Sequence, residues 1–329
     1  MLTLLKTQTD APSGSEDRLH QIITEEIRDY VDDISIDALG NLIAHKKGGG
    51  PRVMFAAHMD EIGLIVTFIT DKGFLKVSNL GGVSPVNALG QRVRFANGTE
   101  GAVALDDTDA DFAKGLRMSD LYVDVGAENR EEAEKLVSVG DSAAFCGNFY
   151  TNGNTVISKA LDDRCGCLVL IEAIRQIKTY TNDLYFVFTV SEELGLRGAK
   201  TSAYTVKPDY AVAVDVTRTG DAPGKLQMAV ALGKGAAIKI KDSSLLAHPY
   251  MKKRMTEACE EASIPHQFEV LERGGTDSGA IHLSGGGVPA GCISIPTRHI
   301  HSPAEMVDLR DLNAAVKLTV KLVEKGFDM

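Results

Sequence analysis

The sequence of 329 residues contains no tryptophan and few cysteines. The five cysteines are odd in number and scattered, at Cys146, Cys165, Cys167, Cys259 and Cys292. They form no Cys-x-x-Cys pair, which argues against a zinc ribbon or a redox motif. We expect reduced, mostly buried thiols, as is usual in the cytoplasm. The absence of tryptophan argues against an aromatic platform for carbohydrate.

Positive charge is also scarce, because 35 Lys and Arg residues face 45 Asp and Glu residues. The formal net charge of −10 and the pI near 5.3 argue against nucleic acid and anionic membranes as main partners. No segment approaches the roughly 18 apolar residues of a membrane span, and residues 1–6 lack the pattern of a signal peptide. The sequence therefore predicts a cytoplasmic protein that binds neither nucleic acid nor membrane.

Apolar strands and amphipathic helices alternate along most of the chain, which predicts an α/β fold. Apolar runs typical of buried strands lie at residues 52–57, 184–190, 210–216 and 289–295. Helical spacing predicts helices at residues 163–178, 249–262, 276–283 and 311–324, and a first helix capped by Ser13 or Ser15. We expect a central, mostly parallel or mixed sheet with helices on both faces.

The pattern changes between residues 67 and 154, where short alternating segments are punctuated by Gly, Asn and Asp. These segments predict a small inserted barrel or sandwich with one short helix at residues 130–137. Residues 1–66 and 155–329 would then form one discontinuous domain around the insert. Few residues of the insert are of the types used in chemistry, so we expect it to mediate assembly or shape a cleft.

Acidic residues and histidines follow the predicted strands at their carboxyl ends or open a helix. They are His58, Asp60, Asp162, Asp163, Glu192, Glu193, Asp215, His299 and His301. Function in open α/β sheets gathers at the carboxyl ends of strands, so we expect these side chains to share a cavity. If the chain turns after Ser191, one of the two adjacent glutamates can bind a cation while the other moves protons.

These residue types fit a metal site better than separate structural roles. Asp60 lies two residues after His58 and can hold the ring nitrogen that does not bind a metal. Helix capping would explain one of the two aspartates at 162 and 163, whereas a carboxylate bridging two cations would explain the pair. Nitrogen and oxygen donors together suit zinc, cobalt or manganese.

Two choices stay open at the level of the residues. His299 and His301 point the same way in an extended chain, so spacing does not choose between them. The loop at residues 273–279 contains Thr276 and Asp277 and is either a substrate-binding segment or a turn that caps the next helix through Thr276.

In combination and in this order, five motifs resemble the cobalt- or zinc-dependent tetrahedral aminopeptidases, a family that includes glutamyl and deblocking aminopeptidases. The motifs are Ala-His-Met-Asp-Glu-Ile-Gly at 57–63, Ala-Leu-Asp-Asp-Arg at 160–164, Ser-Glu-Glu-Leu-Gly-Leu-Arg-Gly-Ala at 191–199, Ala-Val-Asp at 213–215 and Thr-Arg-His-Ile-His-Ser-Pro at 297–303. The resemblance covers essentially the whole chain, and we find no departure from the family pattern at a metal or catalytic position.

The resemblance implies a role for each of the singled-out residues. His58 and Asp215 would hold one divalent metal ion, Glu193 and His301 the other, and Asp162 would bridge the two. Glu192 would be the general base, and Asp60 would orient His58. The resemblance further implies a cis peptide bond after Asp162, a dimerisation domain at residues 67–154, and dimers that assemble into a tetrahedral dodecamer.

The activity implied by the resemblance is the removal of N-terminal residues from short peptides by a water activated between two metal ions. Other activities are compatible with the same ligands. A deacylase or carboxypeptidase on the same core is one, and an endoglucanase, a name that some family members carry, is another. A glycosidase would use two carboxylates without a metal, which would leave the histidines unexplained.

Overall fold

The computed structural model describes residues 2–106, 115–224 and 227–328. Its helices are α1 Thr3–Lys6, α2 Asp17–Ile27, α3 Pro85–Ala88, α4 Arg130–Leu136, α5 Leu161–Gln176, α6 Arg197–Val206, α7 Pro249–Glu261, α8 Ser278–Ile281 and α9 Leu309–Lys325. Its strands are β1 Asp33–Ile36, β2 Leu42–Lys46, β3 Arg52–His58, β4 Gly63–Ile69, β5 Leu75–Leu80, β6 Arg92–Phe95, β7 Glu100–Leu105, β8 Leu121–Asp124, β9 Ser142–Phe145, β10 Tyr150–Asn152, β11 Thr155–Ser158, β12 Asp183–Thr189, β13 Tyr210–Thr217, β14 Ala236–Lys241, β15 His266–Val270, β16 Ala290–Arg298 and β17 Glu305–Asp308.

Within these ranges, eleven strands form one mixed sheet in the order β1-β2-β12-β3-β13-β16-β17-β11-β10, with β14 and β15 attached beside β16. The four central strands β12, β3, β13 and β16 are parallel to one another. Their carboxyl ends therefore lie at one edge of the sheet, which is where the candidate site residues follow them. The mixed α/β architecture expected from the sequence is confirmed.

Helices cover both faces of the sheet, which explains why its central strands are apolar throughout. Side chains alternate along a strand, and Val53 and Phe55 of β3 join the core beneath α2, α5, α7 and α9, whereas Met54 and Ala56 join the core beneath α6 and α8. All eight residues of β13 are buried. A strand buried on both sides has no polar face, which accounts for the continuous apolar runs in the sequence.

The inserted segment forms a closed barrel of six strands in the order β4-β5-β8-β7-β6-β9, with its own hydrophobic core. The expectation of a small barrel-like insert is thereby confirmed, and closure leaves the barrel without an exposed edge strand. The first barrel strand, β4, begins at Gly63 and continues past residue 67. The division of the chain into domains at residues 66 and 154 stays a prediction.

A cluster of ion pairs, buried around Lys159 and Glu61, joins the barrel to the large sheet. The Lys159 Nζ lies 2.6 Å from Asp10 Oδ1 and 2.9 Å from Glu61 Oε2. Arg94 on β6 of the barrel reaches the other oxygen of Asp10 at 3.1 Å, and Arg164 on α5 reaches Glu61 at 3.3 Å. These contacts fix the N-terminal segment, the barrel and α5 relative to one another.

Two of the predicted helices differ from the structure at their ends. Helix α2 begins at Asp17 without a side-chain cap, because Ser13 donates its hydroxyl to Asp60 and Ser15 contacts Ser142. The helix predicted at residues 276–283 is the single turn α8, which likewise has no side-chain cap.

Candidate metal centre

Two groups of ligand side chains meet at the carboxyl edge of the central strands. Among the described residues, the first ligand group is His58, Asp162 and Asp215, and the second ligand group is Asp162, Glu193 and His301. Within each group, one nitrogen or oxygen atom per residue lies within 4.8 Å of the others. All five residues were singled out in the sequence, and the structure brings them together.

The first ligand group is deeply buried. His58 ends β3, and its Nε2 lies 3.0 Å from Asp162 Oδ1 and 3.9 Å from Asp215 Oδ1. Asp215 sits on β13, the neighbouring parallel strand, so the sheet itself sets the spacing between the imidazole and this carboxylate. The amide of Val216 donates to Asp215 Oδ1 at 2.7 Å, which restrains the carboxylate from its own strand.

The second ligand group shares Asp162 with the first. His301 Nε2 lies 3.3 Å from Asp162 Oδ2 and 3.2 Å from Glu193 Oε1. The two oxygens of Asp162 therefore face two different imidazoles, which is the arrangement of a bridging carboxylate. His299 belongs to neither ligand group within the described residues.

Asp60 organises the turn that carries the two glutamates. Its Oδ1 accepts the amide of Glu192 at 2.9 Å, and its Oδ2 accepts the amide of Glu193 at 3.2 Å and the hydroxyl of Ser13 at 2.6 Å. The His58 Nδ1 is 3.0 Å from the Asp60 carbonyl and 3.5 Å from its carboxylate. Asp60 therefore holds both His58 and the turn, a wider role than the orientation of one imidazole.

The turn after β12 places the adjacent glutamates differently. Ser191 adopts a left-handed conformation with φ of 53°, which ends the strand before Glu192. Glu192 Oε2 lies 3.9 Å from His58 Nε2, whereas Glu193 reaches His301. Glu192 belongs to neither ligand group, so its carboxylate is left for another task beside the first group.

The segment at Asp162 turns sharply before α5 becomes regular. The Asp162–Asp163 peptide bond is cis, as the resemblance implies. The carboxylate of Asp163 instead accepts main-chain amides, that of Gly166 at Oδ1 at 2.9 Å and that of His58 at Oδ2 at 3.2 Å. The two adjacent aspartates thus divide the two roles considered for them, ligand and helix-terminal acceptor.

Burial and crowding shift the pKa values of the ionisable groups strongly. Burial raises the pKa of Asp215 to about 8 and that of Glu192 well above its usual range. For the basic His301, burial alone would lower the pKa. The contacts to Asp162 and Glu193 outweigh burial and raise the pKa of His301 to about 11. The site concentrates carboxylates in a space where bare negative charge is costly, and cations would compensate it.

The backbone of the barrel contacts two residues of the second ligand group. Gly81 and Gly82 follow β5, and the Gly82 carbonyl lies 3.1 Å from His301 Nδ1. A Cβ built on Gly81 would lie 2.7 Å from Glu193 Oε2, and one on Gly82 would overlap the His301 ring. These glycines were not singled out in the sequence, because they act through the absence of a side chain.

Glu305 is a second feature that the sequence did not reveal. It is buried at the start of β17, where its carboxylate accepts the amides of Asp162 at 2.9 Å and of His301 at 2.8 Å. No spacing rule would pair residues 162 and 305. Its position four residues after His301 was the one signal available.

Thr276 and Asp277 lie beside the site. Asp277 Oδ2 accepts the Thr189 hydroxyl at 2.5 Å at the end of β12, and burial raises the pKa of Asp277 to about 6. The Thr276 hydroxyl is buried and has no hydrogen-bond partner among the described residues. Neither residue caps α8 with its side chain, but the Thr276 carbonyl accepts the Gly279 amide at 2.8 Å in the turn that opens this helix.

The donor set fits two divalent cations. Each ligand group combines one imidazole nitrogen with carboxylate oxygens, a set that zinc, cobalt and manganese accept. The His58 Nδ1 contact to the Asp60 carbonyl leaves Nε2 directed at the ligand group, as is common for histidines that bind metals.

Comparison with known proteins places this site in a family. Residues 40–318 match the model described as M42 glutamyl aminopeptidase. A protein of Acetivibrio thermocellus with the provisional name of aminopeptidase is 52% identical over 98% of both chains. The lysyl aminopeptidase of Pyrococcus furiosus is 34% identical over 98% of this chain and 96% of its own.

Solved structures agree with this placement. An aminopeptidase from Desulfurococcus kamchatkensis is 41% identical with a TM-score of 0.94, covering 99% of this chain and 94% of its own. The TET1 peptidase of Pyrococcus horikoshii, which can assemble into a tetrahedron or an octahedral shell, is 35% identical over 97% of both chains with a TM-score of 0.85. A Thermotoga maritima structure named endoglucanase is 32% identical over 99% of this chain and 97% of its own, with a TM-score of 0.82.

Proposed function

Because the chain belongs to the M42 glutamyl aminopeptidase family, we propose that it is a metal-dependent enzyme that removes N-terminal residues from short peptides. The observation that carries the proposal is the shared carboxylate of Asp162, which faces His58 through one oxygen and His301 through the other. Glu192 lies beside this pair without belonging to either ligand group.

The five ligand side chains would hold two divalent cations, one in each ligand group, and zinc, cobalt or manganese suits their donors. When bound, such a pair of cations lowers the pKa of a water molecule and polarises the peptide carbonyl. Asp60 maintains the geometry that this chemistry needs, since it holds His58 and the amides of Glu192 and Glu193.

Glu192 would move the protons. Its carboxylate would accept a proton from the attacking water and donate it to the amine that leaves when the peptide bond breaks. Burial raises the pKa of Glu192, which makes its carboxylate a stronger base than an exposed glutamate.

The restriction of cleavage to the N-terminal residue would come from charge. The free α-amino group of a peptide is cationic, and it would be held near the acids of the second ligand group. We propose that Thr276 and Asp277 lie on the substrate side, because Asp277 contacts Thr189 at the end of β12. The Thr276 hydroxyl and Asp277 Oδ1 are buried without a hydrogen-bond partner among the described residues.

The remaining features follow from family membership as proposals. Residues 1–66 and 155–329 would form the catalytic domain, and residues 67–154 a dimerisation domain whose dimers build a tetrahedral dodecamer. None of the described helices is long and apolar enough to cross a membrane. We propose a cytoplasmic enzyme.

The test is release of amino acids from short peptides with acidic, neutral or basic first residues, each free and N-acetylated. Each reaction is run with the protein as purified, after chelation, and after addition of Co²⁺ or Zn²⁺. We expect stepwise release from free peptides only, lost on chelation and restored by metal. The panel also identifies the preferred first residue.

Three other outcomes would contradict the proposal. Metal-dependent cleavage of acetylated peptides alone would indicate a deacylase. Release from the carboxyl end would indicate a carboxypeptidase. Cleavage of a cello-oligosaccharide that survives chelation would indicate an endoglucanase.

A further inference from the structure

We propose that Glu305 is a positioning residue that sets the affinity of the second ligand group, Asp162, Glu193 and His301, for its cation. The inference rests on the proposed two-cation site and extends it to a residue outside both ligand groups. Glu305 holds the backbone of two ligands at once.

The contacts of Glu305 are specific to the ligand segments. Its Oε2 accepts the Asp162 amide at 2.9 Å and its Oε1 accepts the His301 amide at 2.8 Å. The side chain is 2% exposed, so water does not replace these bonds. Both carboxylate oxygens are therefore engaged with the main chain of a ligand.

Strand pairing explains why one residue reaches both segments. Strand β17 pairs with β11, which leads to Asp162, and with β16, which leads to His301. Glu305 opens β17 opposite Ser158, at the point where these two leading segments converge. A carboxylate at this point can satisfy amides from both.

The local backbone needs such an anchor. His301 has a φ of 63°, in the left-handed region that residues other than glycine rarely adopt. Residues 299–304, between β16 and β17, are irregular, so no ladder of strand hydrogen bonds fixes the backbone that carries the His301 ring. The hydrogen bond from the His301 amide to Glu305 holds this backbone instead.

The two ligand groups depend on Glu305 unequally. It holds two of the three residues of the second ligand group, but only Asp162 of the first. In the first group, His58 contacts Asp60, and Asp215 accepts the amide of Val216. Loss of Glu305 should therefore weaken the second cation site more than the first.

The experiment is a Co²⁺ titration of the metal-free, full-length chain by calorimetry and visible absorption, with the wild type and Glu305→Gln compared. Glutamine keeps the shape of glutamate, but its amide nitrogen cannot accept a hydrogen bond, so one of the two backbone bonds is lost. We expect two ions per wild-type chain. In the variant we expect the binding step at the second ligand group to weaken about 10- to 100-fold, the usual range for a lost outer partner of a metal ligand, and the step at the first ligand group to change less.

Asp311→Asn is the matched control. Asp311 is also a buried carboxylate that accepts two backbone amides, those of Gly233 at 2.6 Å and Gly235 at 2.7 Å, but it contacts no ligand segment. We expect its two Co²⁺ binding steps to match the wild type. Thermal unfolding of the metal-free proteins shows whether either variant has lost its fold. If Glu305→Gln does not fold, Glu305→Asp, which keeps both acceptor oxygens, is titrated in its place.

The outcomes separate this inference from the proposed function. Wild-type affinity for both ions in the Glu305 variant, or equal losses in the Glu305 and Asp311 variants, would overturn the inference. A wild-type chain that binds two ions and hydrolyses no peptide would overturn the proposed function and leave the inference standing. A wild-type chain that binds fewer than two ions would overturn both.

Discussion

At the scale of single residues, the candidate site depends on carboxylates that perform different tasks in similar surroundings. Asp162 faces two imidazoles, Asp60 accepts two amides of the glutamate turn, and Asp163 accepts the amides of Gly166 and His58. Each task is set by the hydrogen-bond partners that the backbone presents. Residue type alone would not have assigned them.

We expect Glu192→Gln to lower kcat about 10²- to 10⁴-fold, because an amide cannot accept the proton that general base catalysis requires. Co²⁺ binding should be unchanged, since Glu192 belongs to neither ligand group. Peptide hydrolysis and calorimetry measure the two effects separately. Glu25→Gln, at an exposed position on α2, is the control and should behave like the wild type. A Glu192 variant that keeps more than a tenth of the wild-type kcat would assign the proton transfer elsewhere.

Sequence reasoning identified the site residues that follow apolar strands, since a polar residue after a buried run marks the edge of the sheet. His58, Asp215 and the two glutamates are of this kind. It could not choose between His299 and His301, because both lie in irregular backbone with φ of about 60° and the alternation of an extended strand does not hold there. It also missed Glu305, which acts on main-chain amides rather than on side chains.

At the scale of elements, the site lies where two separately packed units meet. Strands β3 and β13 and the start of α5 supply the first ligand group, and the turn after β12 supplies Glu192. The loop after β5 of the barrel covers Glu193 and His301. The barrel was expected to shape a cleft or mediate assembly. Its contact with the second ligand group shows that it also completes the wall around the site.

We expect Gly82→Ala to weaken Co²⁺ binding at the second ligand group and to lower kcat at least 10-fold. The added Cβ would overlap the His301 ring, which would have to move away from Glu193 and Asp162. Calorimetry and peptide hydrolysis would measure both effects.

Gly286→Ala is the control for the same substitution. Neither Gly82 nor Gly286 has a positive φ, and a Cβ on Gly286 would meet nothing within 4 Å. We therefore expect wild-type Co²⁺ affinity and wild-type kcat in Gly286→Ala. Wild-type metal affinity in Gly82→Ala would show that His301 can shift without loss of its ligand geometry.

The long elements could be predicted from the sequence, but their partners and the short elements could not. Fully buried strands give continuous apolar runs, and β3, β12, β13 and β16 each coincide with one. Closure of the barrel depends on pairing of β4 with both β5 and β9, and the β4–β9 contact joins residues about eighty positions apart. The single-turn helix α8 gives too few residues for a period to appear.

At the scale of the whole molecule, the isolated chain exposes several large apolar side chains that an assembly would cover. Among the residues that the structure describes, those more than two-thirds exposed are Val86, Tyr204, Leu246 and Leu283. Exposed apolar side chains often mark an interface where they form one patch, whereas single ones are ordinary. Together with family membership, these residues support the proposal of an oligomer.

We expect light scattering coupled to size-exclusion chromatography to give a mass of about 420 kDa, that of twelve chains of 35.2 kDa each. The mass should not change over a tenfold range of protein concentration, since a closed shell satisfies all its interfaces. A mass of about 70 kDa at every concentration would limit the assembly to a dimer.

The glycines of the barrel loop have a consequence for how this protein could be altered. Gly81 and Gly82 present only main chain to Glu193 and His301, so these two positions of the barrel must lack a side chain. The rest of the barrel sequence can vary, provided that its strands close and that Asn87 and Arg94, which contact His301 and the N-terminal segment, are kept. A chimaera carrying a foreign barrel should keep its reactivity when the graft retains both glycines and these two side chains.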